Sequence, residues 1–174
     1  MNENAILFRG KLTSGDDWVY GFYIHRPEPV CIGHSNPYCI WIPASDPDDT
    51  TKIAEVDPET VGQFTGVFDS NNDRIFEGDI ILHKSRNEEC DCMSVVKIGK
   101  YSQDGSGGEY SPVECYGVYA EIYWHSTPDW VFEDYEPIKD FEKTMSLLEL
   151  SGEIKVIGNI YDNPSILKEG NKLW

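Results

Sequence analysis

Two carboxylates separated by one glycine, Glu77 and Asp79 in the run Ile75-Phe76-Glu77-Gly78-Asp79-Ile80, are the pair best spaced for acid/base chemistry. On a strand, side chains two apart share a face, so both carboxylates would stand together as general acid and base. A Gly-Asp pair at a strand bend also has a structural use, because the Asp carboxylate accepts bonds from nearby backbone N–H groups. That use is the preferred expectation. The metal candidates are Cys90 and Cys92 with Cys31, His34 and Cys39. Structural zinc takes four ligands, usually in pairs spaced C-x2–4-C, since a short loop can then turn both sulfurs toward one ion. Cys90-x-Cys92 is one residue short of that spacing, and seven residues separate Cys31 from Cys39. Reduced, partly buried thiols are therefore expected, with no metal and no cofactor. His25, His34, His83 and His125 do not form H-E-x-x-H, and Ser106 lies in a glycine-rich loop rather than in G-x-S-x-G. Nor is there a phosphate-cradling glycine motif. No catalytic, cofactor-binding or metal residue is assigned, and the chain is expected not to be an enzyme.

A second cluster is aromatic: Tyr116, Tyr119, Tyr123, Trp124 and Trp130. Such a set could stack single-stranded nucleic acid, but that platform also needs positive charge. The chain has 14 Lys and Arg against 31 Asp and Glu in 174 residues, a formal charge of −17. Direct nucleic-acid binding and attachment to an anionic membrane are both disfavoured by sign. A core or a subunit interface is the expected use of the aromatics.

The charge concentrates in residues 31–60, with 6 acids and 1 base, and in residues 121–150, with 8 acids and 2 bases. Imitation of DNA by such a surface faces a density problem. A fold of this mass exposes roughly 8,600 Å² and so carries about one net charge per 500 Å², whereas duplex DNA carries about one per 110 Å². An acidic inhibitor of a nucleic-acid enzyme is thus the alternative reading, and it requires both segments on one face. An enzyme of unrecognised type is the third.

These residues need a scaffold, and the pattern is of strands. At 40 % hydrophobic and 13 % aromatic residues the chain can bury a core, and its length suits one domain. No apolar run is long enough to span a membrane, and the N-terminus does not read as a signal peptide, so the cytoplasm is the expected compartment. Five cysteines with no regular framework agree with that. Residues 5–25 read as a hairpin whose second arm puts Trp18, Tyr20 and Phe22 on one face and Val19 and Tyr23 on the other, both faces being partly covered. Five prolines make residues 26–56 an irregular excursion with one or two short strands. Asp57-Pro58 predicts a single capped helical turn. A strong hairpin follows, turning at Ser70-Asn71-Asn72-Asp73, with Gly78 as a bulge or bend in its second arm. Strands are expected at 94–101, 116–124 and 153–161, with a short continuation at Trp130-Val131-Phe132. Phe141, Met145 and Leu148, at helical spacing with Leu147 and Leu150, predict one helix from Asp140 to Gly152. Ser165 to Gly170 predicts a last helical turn. The fold class is mainly β, with about seven strands and the character of a small barrel carrying one helix in its C-terminal half.

Three blocks carry a family resemblance. Phe8-Arg9-Gly10 precedes Trp18-Val19-Tyr20-Gly21; Val56-Asp57-Pro58-Glu59-Thr60-Val61-Gly62-Gln63-Phe64-Thr65-Gly66 runs on to Ile75-Phe76-Glu77-Gly78-Asp79-Ile80; and Val156-Ile157-Gly158-Asn159-Ile160-Tyr161-Asp162-Asn163-Pro164 lies near the end. In this order the blocks resemble the YopX family of phage and prophage proteins. The resemblance spans nearly the whole chain, read as a single domain over 1–174. It implies an SH3-like barrel with elaborated hairpins, an origin in a phage or integrated element, and work in the bacterial cytoplasm. It supplies no catalytic residue. The expected function is a non-enzymatic protein-binding or assembly module that acts through protein partners, including copies of itself as a homo-oligomer.

Overall fold

A computed structural model describes residues 6–25, 36–44, 50, 52–85, 91–103, 113–125, 144–149 and 152–169. Among the described residues the backbone is mainly β, with eleven strands, all paired antiparallel, and one four-residue helix. The chain divides into two compact units, Met1–Phe64 and Thr65–Trp174.

In the first unit, β1 (Phe8–Lys11) and β2 (Trp18–His25) form the expected hairpin, with Phe8 opposite Gly21 and Lys11 opposite Trp18. The proline-rich excursion supplies two short strands, β3 (Tyr38–Ile42) and β4 (Lys52–Glu55), while residues 45–49 between them lie outside the described residues. β3 pairs with β2 and β4 with β3; on the far side of β1, Arg9 stands opposite Gly62 at the start of β5 (Gly62–Phe68). Beyond β4 the backbone returns to the end of β1. Val56 bridges Leu12, the Glu55 carbonyl accepts from the Thr13 N–H at 3.1 Å, and the Asp57 N–H donates to the Lys11 carbonyl at 2.9 Å. Asp57 caps the predicted turn, Pro58–Thr60, its carboxylate accepting from the Glu59 N–H at 3.0 Å. Ile40 and Val56, both fully buried, fill the inner side. Gly21 is required for close approach, since a Cβ there would run into the Trp41 carbonyl oxygen.

In the second unit the remainder of β5 turns at residues 70–73 into β6 (Arg74–Phe76), and Asn72 takes the left-handed angle expected of it, φ 68°. Then come β7 (Asp79–Ser85), β8 (Cys92–Gln103), β9 (Val113–His125), β10 (Thr144–Ser146), β11 (Gly152–Asn159) and the helix α1 (Ile166–Glu169), which is the expected last turn. Five strands lie in the order β10-β9-β8-β7-β11. Adjacent apolar residues point to opposite faces, so both faces are packed. Ile81, Val96, Ala120 and Ile154 meet Ile75 and Leu147 on one side. Ile80, Met93 and Val95 meet Trp124, Ile157, Ile160 and α1 on the other. Each fully buried Ile or Val here contributes about 2 kcal/mol. A bulge between Met93 and Ser94, which leaves Tyr123 as the extra residue of β9, brings Trp124 opposite Met93.

Two expectations need correction. The arm from Arg74 to Lys84 is not one strand, because Glu77 and Gly78 form a full turn that separates β6 from β7. The helix expected from Asp140 to Gly152 is also absent where that segment is described. Thr144–Ser146 is a strand with Met145 opposite Ala120, and Leu147–Glu149 is one 3-10 turn. Leu147 is buried, whereas Leu148, which the helical stripe would have buried, is 79 % exposed. Three ladder positions against β9 outweigh helical periodicity in so short a piece. Phe141 and Leu150, like the strand expected at 130–132, lie outside the described residues.

The edge of β11 is covered by a carboxylate. Asp69, just past β5, is buried and accepts from the N–H groups of Asn71 at 2.8 Å, Asp73 at 2.9 Å and Val156 at 3.1 Å. The neighbouring Ser70 N–H donates to the Ile154 carbonyl at 2.8 Å. Burial opposes ionisation of Asp69, but the bonds from Asp73, Val156 and Asn71, with Lys155 nearby, outweigh it and hold the pKa below 3.8. A carboxyl whose folded pKa is lowered stabilises the fold above its unfolded pKa, and that contribution disappears as pH falls through the folded pKa. Stability in urea should therefore decline as pH is taken below about 4. Asp69→Asn should cost about 2 kcal/mol at neutral pH and flatten the acid-side decline. An equal decline in both proteins would assign it to other carboxyls.

Candidate functional site

The acid/base pair does not assemble. Gly78 has φ 84°, a left-handed angle that favours glycine; its N–H donates to the Val96 carbonyl at 2.9 Å and its carbonyl accepts from Ile160 at 3.0 Å. Glu77 therefore sits in the turn and Asp79 opens β7, so the same-face geometry of a continuous strand does not apply. The Asp79 carboxylate, 1 % exposed, accepts from the Phe76 N–H at 2.7 Å. Glu77 Oε1 accepts from the Ile98 N–H at 3.4 Å, on β8. One carboxylate ties the turn to itself and the other ties it to the neighbouring strand.

The other candidates are dispersed. Cys39 in β3 and Cys92 in β8 are buried, and Cys115 in β9 is half-buried. Cys31, His34, Cys90 and Ser106 lie outside the described residues. Among the described residues no three His, Cys, Asp or Glu side chains are grouped to hold a metal ion. His25 stacks on Tyr38 with ring centroids 4.7 Å apart, and His83 is buried in β7. The tyrosines of β9 do not form one platform. Tyr116 and Tyr119, three residues apart, point to opposite faces, and Trp124 is drawn into the packing around Met93. Tyr119 stacks on Tyr101 of β8, centroids 5.1 Å apart. Beside them Lys97 and Glu121 form an ion pair; its hydrogen bond raises the Lys97 pKa above the ordinary value, against the opposing effect of burial.

A contiguous aromatic surface does exist, on the first unit. The alternation of β2 places Trp18, Tyr20 and Phe22 on one face, as expected, and strand register extends that face sideways. Trp41 lies opposite Phe22, and Ile53 lies opposite Trp41. Phe22 and Trp41 pack with centroids 5.4 Å apart. At the other end, the Arg9 guanidinium sits 4.7 Å from the Trp18 ring centre and the Lys11 ammonium 5.8 Å from it, while Lys11 also pairs with Asp16 at 3.6 Å. Two cations thus hold Trp18 in place. Tyr20 remains 48 % exposed, Trp41 37 % and Ile53 36 %, while Trp18 and Phe22 are half-buried, so this face is partly covered, as expected. The sequence marked its β2 row, but Trp41 and Ile53 join only through pairing across the proline-rich excursion. What the face can do chemically is offer flat apolar rings to another surface.

If Asp79 serves the turn, Asp79→Ala should lower unfolding free energy by about 2 kcal/mol, because the Phe76 N–H loses a buried acceptor. Urea denaturation would read this, and the near-ultraviolet circular dichroism of the folded protein should be retained. An unchanged midpoint would remove the structural assignment.

No curated protein and no solved structure matches the chain at a significant level. A family model described as YopX protein matches residues 34–168, which takes in the second and third of the three blocks and leaves the Phe8-Arg9-Gly10 block before it. With more than half its length matched and the blocks in family order, the chain belongs to the YopX family.

Proposed function

We propose that this chain is a non-enzymatic protein-binding or assembly module of phage or prophage origin, working in the bacterial cytoplasm, with the aromatic face of β2, β3 and β4 as its contact surface. The observation that carries this reading is the exposure of Tyr20, Trp41 and Ile53 in one patch beside rings already fixed by neighbours. Rigid, partly exposed aromatic rings are what protein interfaces use as anchors, because they bury large area with little loss of side-chain freedom. Supporting it, the carboxylates nearest to catalytic spacing bond backbone N–H groups. No helix among the described residues is long and apolar enough to cross a membrane.

The SH3-like barrel belongs to the same proposal. Its support is the Leu12–Val56 bridge with the Thr13–Glu55 and Asp57–Lys11 bonds, which bring the end of β4 back to the end of β1 as barrel closure requires. Of the acids in 31–60 and 121–150, only Glu55, Asp57, Glu59 and Glu121 have described side chains. Glu55 accepts from the Asn36 N–H at 3.3 Å and Glu121 pairs with Lys97, so nothing favours the acidic-inhibitor reading over the aromatic face.

The test is affinity capture from a bacterial lysate with wild type and with the double variant Tyr20→Ser, Trp41→Ser. Trp41 packs on Phe22, so the double variant should lose about 2 kcal/mol of stability, and circular dichroism establishes that it remains folded. Wild type is expected to retain a discrete set of proteins that the double variant loses, and identical sets on both columns would reject this face as the contact surface.

A further inference from the structure

Resting on the protein-binding reading above, we infer that the segment docking on the aromatic face is basic, with arginine side chains seated on the rings of Trp41 and Tyr20. The face has a regular spacing. Trp18, Tyr20 and Phe22 follow one another two residues apart, about 6.7 Å at each step along a strand. Ile53, Trp41 and Phe22 form a row across three strands. An extended peptide presents its own same-face side chains at that interval, so alternate side chains fall on successive rings.

The chain itself shows what kind of group sits on these rings. Arg9 and Lys11 both approach Trp18, at 4.7 and 5.8 Å from the ring centre. A guanidinium is flat, weakly hydrated and attracted to the face of an aromatic ring. At the opposite end of the patch, the exposed Trp41 offers the same indole surface.

Charge selects the same occupant. Met1–Phe64 holds 10 Asp and Glu against 4 Lys and Arg. Of those four bases, Arg9 and Lys11 are already engaged at Trp18. Asp16 and Asp17 lie in the β1–β2 turn beside the Trp18 end, and Asp57 and Glu59 follow β4. A cationic segment is drawn to this unit, whose own charges sum to a negative value.

The probe is a short synthetic peptide of alternating leucine and arginine, compared with the same peptide carrying glutamine for arginine. Binding is followed by tryptophan fluorescence and calorimetry near physiological salt. The arginine peptide should bind saturably and at least about tenfold more tightly than the glutamine peptide. Trp41→Leu, which keeps apolar area but removes the ring, should weaken the arginine peptide by about tenfold, and Tyr20→Leu by a smaller factor. Thermal unfolding of each variant establishes that it is folded. If the arginine peptide binds no better than the glutamine peptide, the basic-partner inference falls, while the protein-binding reading stands or falls on the capture experiment. If Trp41→Leu and Tyr20→Leu both leave the arginine peptide's affinity unchanged, its seat is not this face and the inference is overturned.

Discussion

The second unit depends on one buried carboxylate. Asp69 spans 87 residues of sequence to reach the Val156 N–H, and the same side chain closes the β5–β6 turn on Asn71 and Asp73. Without an acceptor there, β11 would present an unpaired amide at the sheet edge, which invites pairing with another chain. With it, the hairpin arm is fixed where Ile75 can join Ile81, Val96, Ala120 and Ile154. An ionised acceptor suits this position because one carboxylate can take several N–H bonds at once, more than one backbone carbonyl usually accepts.

The polar residues of the shared blocks follow the same logic. Thr65 Oγ1 donates to the Ile75 carbonyl at 2.8 Å and accepts from the Val67 N–H at 3.1 Å. Asn159 Oδ1 accepts from the N–H groups of Tyr161 and Asp162, at 3.0 and 2.9 Å, and turns the chain toward α1. Asp57, Asp79 and Glu77 serve turns in the same way. A motif rich in Asp, Glu, Thr and Asn can look like chemistry, yet these side chains are held by the backbone of a β protein with many tight reversals.

How much of this was legible from sequence depended on the distance over which each feature is decided. The first hairpin, the Asp57 cap and the left-handed Asn72 were readable because a few adjacent residues determine them. The β2 half of the aromatic face was readable for the same reason. Its other half was not, since Trp41 reaches Phe22 through strand register and not through nearness in sequence. The Asp69–Val156 bond has no local signal at all. The segment around Met145 failed in the opposite direction, because Phe141, Met145 and Leu148 are spaced for a helix. An edge position on β9 offered backbone bonds that a periodicity argument does not count.

A net charge of −17 does not by itself identify a partner, because at physiological salt the field of an exposed charge fades within about 8 Å. Over that range only the charges near the contact surface act rather than the whole sum; at the aromatic face Asp16 and Asp17 stand with Arg9 and Lys11, and Lys52 lies beside Ile53. Charge and rings then do separate work. On the inference above, the negative sum of the first unit would raise the rate at which a cationic segment arrives and turn away an anionic one. Contact with Trp41, Phe22 and Tyr20 would set how long it stays, since dissociation is governed by desolvated contact rather than by long-range attraction. An acidic chain with one rigid aromatic face therefore need not imitate DNA to be selective, because sign filters the encounter and flat apolar area holds what passes.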